Sequence, residues 1–174
     1  MKKKYLENIK KIFLQYKTLA EKAMEQISEE KLFWQYNSDS NSIELIVKHL
    51  TGNMLSRWTD FLTSDGEKEC RNRDTEFESS AKTRADVMKI WEKGWTCLFH
   101  TLNQLKENDL EKIVFIRNEK HTVLDAINRQ LAHYSYHIGQ LVFLSKMLSE
   151  KDWKSLSIPK NKSQEFNQEK FSKK

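Results

Sequence analysis

Four long segments of the chain carry apolar side chains at every third or fourth position, and this repeat constrains the fold more than any other feature. The segments span residues 3–28, 42–63, 84–107 and 123–149. Such spacing places the apolar side chains on one face of an α-helix. Each stripe also steps close to a heptad, the spacing that nearly parallel packed helices require. The sequence therefore predicts four long amphipathic helices.

Residues that break helices are rare, and the predicted helix starts are well marked. The chain has one proline and four glycines among 174 residues, which leaves few places for tight turns. In a capping box, the N-cap side chain accepts a backbone N–H three residues later, and an acid at that later position accepts the N-cap N–H. Three pairs have this spacing: Asn41 with Glu44, Thr83 with Asp86, and Thr122 with Asp125. We expect an all-α protein.

The connections between these helices indicate their arrangement. The segment 64–82 is too long for a tight antiparallel turn and could cross the length of a bundle, which would make the second and third helices parallel. The stretch "IVFIRNEKHTV", residues 113–123, predicts a small hairpin before the fourth helix. We expect one domain over residues 1–150, followed by a partly ordered C-terminal tail over 151–174.

Charge and motifs exclude several classes of function. The net charge is +5, but the lysines are spread along the chain and no basic block is interleaved with aromatic residues, so a solvated surface is favoured over a nucleic-acid site. No apolar run reaches the roughly 20 residues that cross a membrane, and we expect a cytoplasmic protein. Cys70 and Cys97 show no C-x-x-C spacing and are interpreted as reduced thiols. Phosphate-binding loops and serine-hydrolase motifs are absent from the sequence.

The histidines are the strongest candidates for function. His133 and His137 lie four residues apart in "HYSYH", on one face of the fourth helix, with Cβ atoms roughly 5–6 Å apart. His49 flanks the apolar stripe of the second helix at a similar depth. Three neutral imidazoles without a fourth protein ligand are typical of a catalytic metal site. The alternative is half-exposed histidines that bond water or carbonyl groups, which is also our interpretation of His100 and His121.

Two groups of polar residues are candidates for holding a substrate near this metal. Asn53 and Arg57 follow His49 at intervals of four along the same flank of the second helix, where an amide and a guanidinium could bind an anionic or polar ligand. An ion pair of Arg57 with a surface acid is an equally good interpretation. The sequence "RNR" at residues 71–73 is a second candidate anion contact.

Two segments carry a resemblance to a known superfamily. With "IVKHLTGNMLSRWTDF" on the second helix and "AINRQLAHYSYHIGQLVFL" on the fourth, the chain resembles the DinB/YfiT-like superfamily. The resemblance is closest to a branch of small bacterial proteins known only as a domain of unknown function. It covers nearly the whole chain, including "WTDFLTSDGEKECRNRDTEF", "IRNEKHTV" and "SIPKNKSQEFN". It implies a four-helix bundle with up-down-down-up topology, which agrees with the long connection between the second and third helices.

The resemblance also implies a function. Members typically bind a divalent metal through one histidine on the second helix and an H-x-x-x-H on the fourth, positions that match His49, His133 and His137. Characterised relatives include thiol-dependent S-transferases and isomerases that use bacillithiol or mycothiol. We therefore expect a zinc or nickel enzyme, foremost a thiol-dependent S-transferase that acts on small electrophiles with a low-molecular-weight thiol cosubstrate. The alternatives are a non-catalytic metal-binding or stress-response bundle and a metal-assisted hydrolase.

The aromatic residues favour a homodimer, as does the resemblance, since many members are dimeric. Phe13, Phe99 and Phe143 flank the apolar stripes instead of lying on them. Rings left outside the core would form an apolar patch, and a two-fold axis would cover that patch with a second copy. The alternative is that these rings pack beneath the long connection between the second and third helices.

Overall fold

The structure, a computed structural model, describes residues 2–149 and 153–172, which are mostly helical. The helices are α1 (Lys2–Met24), α2 (Ile43–Trp58), α3 (Arg84–Gln104), α4 (Val123–Leu148) and the short α5 (Ser163–Phe171). An antiparallel hairpin, β1 (Ile113–Ile116) and β2 (Glu119–Thr122), immediately precedes α4. The predictions of a mostly helical protein and of a small hairpin at this position are confirmed.

Two of the three predicted caps start their helices as expected. Thr83 and Asp86 form a capping box at the start of α3. At the start of α4, the Thr122 hydroxyl accepts the Asp125 N–H at 3.0 Å. Each side chain satisfies a backbone donor that lacks a partner within its helix, so the helix start is fixed by the local sequence.

The predicted cap of α2 is wrong by one residue. Ser42, and not Asn41, is the N-cap, and its hydroxyl accepts a backbone N–H of the first turn at 3.1 Å. Glu44 does not turn back to the cap, because its carboxylate is buried and accepts the N–H groups of Ser80 and Ala81 at 3.2 and 3.3 Å. A buried carboxylate requires such donors, so tertiary structure overrides the local capping pattern here.

Hydrogen bonds between helices establish their relative directions. The Thr51 hydroxyl reaches the carbonyl oxygen of Ile90 at 3.0 Å, and the Thr101 hydroxyl reaches that of Trp58 at 2.7 Å. Contacts therefore advance together along α2 and α3, and these two helices run in the same direction. The long connection over residues 64–82 is what allows this arrangement.

The first and fourth helices also run in the same direction. The Tyr5 hydroxyl near the start of α1 donates to Asn128 Oδ1 near the start of α4, at 2.8 Å. Lys31, which follows α1, donates to the carbonyl oxygen of Leu148 at the end of α4, also at 2.8 Å. Helix α1 additionally packs against α3, and α2 packs against α4.

The centre of the core is aromatic. Fully buried rings come from all four long helices: Phe13, Trp58, Trp91, Trp95 and Tyr134. The rings of Phe13 and Trp95 meet edge to face with centroids 6.5 Å apart, and those of Trp91 and Trp95 are 5.3 Å apart. Such edge-to-face pairs add to the stabilisation that burial provides.

The prediction that Phe13 lies outside the core is therefore wrong. The buried face of α1 is rotated from the expected stripe and includes Leu6, Ile9 and Phe13. Phe99 is half-buried and stacks on Trp95, with ring centroids 5.8 Å apart. Of the three flanking rings, Phe143 is the one that is well exposed, with 68% of its surface accessible.

The end of the chain adds little to this core. Helix α5 buries none of its residues. The predicted domain boundary between residues 150 and 151 lies outside the described residues. None of the helices that the structure describes combines the length and the apolar character required to cross a membrane.

Candidate metal centre

The packing of α2 against α4 brings the three predicted histidines together. One ring nitrogen from each of His49, His133 and His137 lies within 4.8 Å of the other two. His49 is buried, and the two histidines of α4 are partly buried. The Nε2 atoms of His49 and His133 are 3.3 Å apart. The triad could therefore hold a metal ion.

The spacing of the triad suits a small tetrahedral ion. Two nitrogens that bind one such ion at about 2.0–2.1 Å lie roughly 3.3–3.4 Å from each other, since the angle between them is tetrahedral. The observed separation of 3.3 Å between His49 Nε2 and His133 Nε2 matches this edge. No further histidine, cysteine or carboxylate joins the three imidazoles within the described part of the chain. A bound ion would thus keep a coordination position for another molecule.

A carboxylate that the sequence analysis missed orients His49. Glu76 lies on a short 3-10 helix, Asp74–Phe77, in the connection between α2 and α3. Its Oε2 accepts the Nδ1–H of His49 at 2.9 Å. This bond keeps the proton on Nδ1 and directs the Nε2 lone pair towards His133, the tautomer that a metal ligand needs. The Phe77 ring stacks on the same imidazole, with centroids 5.3 Å apart.

Glu76 is itself held from two sides. Arg71 donates through Nε to Oε1 at 2.7 Å and through Nη2 to Oε2 at 3.0 Å, a bidentate pair. Burial raises the pKa of Glu76, but the bonds from His49 and Arg71 outweigh burial and leave this pKa below its usual range. On the other side is Gly52, where an added Cβ would lie 2.6 Å from Glu76 Cδ. The glycine gives the charged carboxylate room against α2.

The pKa of each histidine of α4 is lowered, which favours the neutral imidazole. Burial, with the nearby histidines and arginines, lowers the pKa of His133 to about 3. Burial also lowers the pKa of His137, although a bond between His137 Nδ1 and Gln140 Oε1 at 2.9 Å opposes it. Neutral imidazoles are the form that binds metal. His133 Nδ1 is buried and has no hydrogen-bond partner among the described residues.

The other predicted site residues also lie in the interior. Asn53 Oδ1 accepts the hydroxyl of Tyr134 at 3.0 Å. Arg57 is buried and pairs at 3.1 Å with Glu67, whose side chain is partly exposed, so the expected ion pair forms at the edge of the interior. The Arg57 guanidinium also donates to the carbonyl oxygen of Gly66. Asn53 and Arg57 therefore tie α2 to α4 and to the long connection.

A cavity of about 220 Å³ opens beside the triad. His49, His133, Asn53 and Gln130 line it, together with five arginines: Arg57, Arg71, Arg73, Arg117 and Arg129. Of the predicted "RNR" segment, the two arginines face this cavity, whereas Asn72 lines a separate groove of about 630 Å³ between α2, α3 and the connection. The sequence analysis missed three lining residues. Arg129 and Gln130 lie one helical turn before His133, and that spacing could have found them, whereas no motif or spacing links Arg117 to the histidines.

The remaining candidates lie away from this cavity. His100 is exposed and contacts Gln104 at 3.0 Å. His121 lies on β2, outside the triad. Cys70 is exposed, Cys97 is partly buried, and both are free thiols. Neither thiol lines the cavity beside the triad.

The fold and the site define a mostly helical protein with a histidine triad, buried or partly buried, that could hold a metal ion. The chain belongs to the family described as "Protein of unknown function (DUF1572)", whose model matches residues 1–162. This membership agrees with the resemblance to a branch known only as a domain of unknown function. No curated protein and no solved structure matches the chain.

Proposed function

We propose that this protein is a divalent-metal-dependent enzyme whose ion is bound by His49, His133 and His137. The observation that carries this proposal is the incomplete ligand set, three imidazoles beside a polar cavity. Structural metal sites are closed by four protein ligands, whereas catalytic sites keep one position for water or substrate. A purely structural role would leave both the missing ligand and the adjoining cavity without a purpose.

We also infer that the four long helices form an up-down-down-up bundle of the DinB/YfiT type. The parallel pairs α1 with α4 and α2 with α3 support this topology. In such a bundle the connection between α2 and α3 has to run back along the length of the helices. That path accounts for Glu76 and Arg71 of the connection lying against the histidine of α2.

Zinc and nickel are the proposed ions. Imidazole nitrogens favour these metals over magnesium and calcium, which prefer oxygen ligands. A divalent cation at this site would supply a Lewis acid that lowers the pKa of a thiol and so generates its nucleophilic thiolate. The protein's own contribution is to orient two of the imidazoles. His49 donates its Nδ1–H to Glu76 and His137 donates its Nδ1–H to Gln140, which leaves each Nε2 lone pair free.

The proposed reaction is transfer of a low-molecular-weight thiol, such as bacillithiol, to a small electrophile. The thiol loses its proton, and the thiolate sulfur forms a bond to the electrophilic carbon. The leaving group departs with the electron pair of the broken bond and takes up a proton from water. An external thiol is favoured because Cys70 and Cys97 both lie outside the cavity. A cytoplasmic location is part of the proposal, and these free thiols support it, because cytoplasmic cysteines stay reduced.

A conjugation assay tests this function. A generic electrophile is incubated with bacillithiol, glutathione or cysteine, each with and without added zinc or nickel. We expect metal-dependent conjugation with at least one thiol, its loss in His133→Ala and its retention in His100→Ala, a control at an exposed histidine. Failure with all three thiols would contradict the transferase and favour metal-assisted hydrolysis or a non-catalytic metal-binding or stress-response role.

We further propose that the protein is a homodimer formed through the outer face of α4. Tyr136, Phe143 and Met147 lie on this face and are 63%, 68% and 49% exposed. Their spacing of seven and four residues aligns them along the helix, and an added Cβ at Gly139 would meet nothing within 4 Å. An apolar stripe of this kind is self-complementary about a two-fold axis.

Light scattering at micromolar concentration tests the dimer. We expect twice the chain mass of 20.8 kDa, and the monomer mass for Phe143→Lys. The matched control is Phe115→Lys, which changes an exposed ring on β1 and should leave the dimer intact. A wild-type mass of 20.8 kDa at every concentration would refute the dimer.

A further inference from the structure

We infer that the cavity beside the histidine triad binds the carboxylate or phosphate group of a small ligand. The chain has six arginines, and five of them line this one cavity. No lysine of the described chain lines it, although lysines supply most of the 30 cationic side chains. Arginine presents a planar fork of donors that matches carboxylate and phosphate oxygens, which the point charge of lysine does not. This segregation of arginine from lysine is the basis of the inference.

Three of these arginines, Arg57, Arg71 and Arg117, already bind one carboxylate of the protein. Glu67 Oε2 accepts from Arg57 at 3.1 Å, from Arg71 at 3.3 Å and from Arg117 at 3.2 Å. Arg71 also forms the bidentate pair with Glu76. These bonds hold three guanidinium groups close together, at a single carboxylate oxygen. The positive charge along this wall of the cavity is thus fixed in place by the protein itself.

The other two arginines, Arg73 and Arg129, are not neutralised in the same way. Arg73 forms no side-chain hydrogen bond or ion pair with the described residues. The nearest carboxylate to Arg129 is that of Glu119, at 4.0 Å, and both side chains are well exposed. Five arginines therefore line the cavity, whereas two carboxylates, those of Glu67 and Glu76, bind closely to three of them. The excess positive charge attracts an anion.

Buried polar atoms without partners also point to a polar ligand. Gln130 is only 4% exposed, and its Oε1 atom has no hydrogen-bond partner in the described structure. Arg57 Nε and His133 Nδ1 are also buried and lack a hydrogen-bond partner among the described residues, and all three residues line the cavity. Such atoms are rare in folded proteins unless water or a ligand satisfies them. The Arg57 donor suits an oxyanion, and the Gln130 acceptor suits a hydroxyl or amino group on the same molecule.

The size of the cavity limits the ligand to a small molecule. Its volume of about 220 Å³ is below that of typical drug-sized sites, which span roughly 300–1,000 Å³. Because His49 and His133 form part of its wall, an anion held by the arginines would lie beside the proposed metal. If the proposed function holds, on which this step rests, the ligand is the substrate or the thiol cosubstrate of the enzyme. The arginines would bind it by its anionic group.

Titration calorimetry with simple anions tests the site without any assay of activity. The probes are inorganic phosphate and malonate, with uncharged malonamide as the control, and the metal content of each preparation is measured. Arg73→Gln and Arg129→Gln remove guanidinium groups that do not hold the fold together. The matched control is Lys11→Gln, which removes one positive charge at an exposed position of α1 that does not line the cavity.

We expect at least one anion to bind the wild-type protein at millimolar concentration. Each arginine variant should weaken that binding roughly tenfold, or about 1.4 kcal/mol, with the metal content unchanged. Preference for phosphate or for malonate identifies which oxyanion the site takes. The inference is overturned if neither anion binds, if malonamide binds as tightly as malonate, or if the arginine variants lose no more affinity than Lys11→Gln. Anion binding by a protein that takes up no metal would instead contradict only the proposed enzyme.

Discussion

The contact between α1 and α3 and the contact between α2 and α4 belong to one core but differ in the side chains that they bury. Between α1 and α3, Phe13 meets the edge of Trp95 at 6.5 Å, and neither ring is exposed. Between α2 and α4, polar side chains are buried or partly buried beside the rings of Trp58 and Tyr134. Among them are His49 and His133, whose Nε2 atoms are 3.3 Å apart. Burial of rings dominates the first contact, whereas the second buries polar groups, and such groups need hydrogen-bond partners.

The charged partners of the α2–α4 contact come from outside the two helices. Glu76 binds His49, and Glu67 binds Arg57, and both carboxylates belong to the connection over residues 64–82. The α1–α3 contact takes its polar partners from its own helices, since Glu21 accepts the Trp91 Nε1–H at 3.0 Å and Lys17 pairs with Glu92 at 2.7 Å. We infer that the α1–α3 side contributes mainly stability and that the α2–α4 side contributes function, with the connection supporting it.

The largest expected effect is loss of stability on the aromatic side. Trp95→Ala should lower the free energy of unfolding by about 3–5 kcal/mol, because it removes a fully buried ring and leaves a cavity. Urea denaturation measures this, and metal affinity of the folded variant should be unchanged. Trp34→Ala, at a ring that is 37% exposed, is the control and should cost less than about 1 kcal/mol. Equal losses for the two tryptophans would contradict the assignment of stability to this contact.

On the polar side, we expect Glu76→Gln to weaken metal binding while the free energy of unfolding changes little. Glu76→Gln keeps an acceptor for His49 but removes the charge that Arg71 and the imidazole share. Replacing such an outer partner typically weakens metal binding roughly 10- to 100-fold. Competition with a chelator measures the affinity. Glu78→Gln, an exposed neighbour, should bind metal as the wild type does, and equal behaviour of the two variants would exclude the proposed role of Glu76.

Two glycines within helices sharpen the comparison further. Gly52→Ala would crowd Glu76, whose Cδ would lie 2.6 Å from the new Cβ, and we expect metal binding to weaken severalfold as the carboxylate shifts. Gly139→Ala meets nothing within 4 Å, so metal affinity should stay constant while helix propensity stabilises the fold by up to about 1 kcal/mol. Chelator competition and thermal unfolding of both variants check this. The account fails here if Gly139→Ala weakens metal binding as much as Gly52→Ala does.

The smallest effect concerns the hairpin turn that carries Arg117. Arg117 and Asn118 have positive φ angles of 56° and 62°, and the Asp65 carboxylate accepts their N–H groups at 2.9 and 2.8 Å. Burial raises the pKa of Asp65, but these bonds and a third from Glu67 lower it below its usual value. We expect Asp65→Asn to cost about 1 kcal/mol at neutral pH.

The pH dependence of this loss of stability follows from the lowered pKa of Asp65 in the folded state. A carboxyl group with a lowered pKa in the folded state stabilises the fold above its unfolded pKa, near 3.9, and loses that contribution as the pH falls through the folded value. The difference between the wild type and Asp65→Asn should therefore be constant from pH 7 to about 5 and shrink below about 4. Urea denaturation across this range measures it. A difference that grows on acidification would contradict the role of Asp65.

Local sequence determined what could be predicted. The four helices, the hairpin and the histidine pair of α4 depend on neighbours three to seven residues apart, and all are found in the structure. Glu76 lies 27 positions from His49, and Arg117 lies 50 positions from Glu67, so no spacing rule could pair them. Phe13 was misassigned for a related reason, because the buried face of α1 is set by packing against α3 and α4 and not by its own stripe.

The central claim is that His49, His133 and His137 bind one divalent ion, and the most direct test is the metal content of the purified protein. Plasma mass spectrometry is applied to the wild type, to His133→Ala and to His100→Ala, each exposed to equal zinc or nickel and then freed of excess. We predict about one ion per chain in the wild type and in His100→Ala, and a large loss in His133→Ala, because two imidazoles bind far more weakly than three. Equal metal content in all three proteins would contradict the claim.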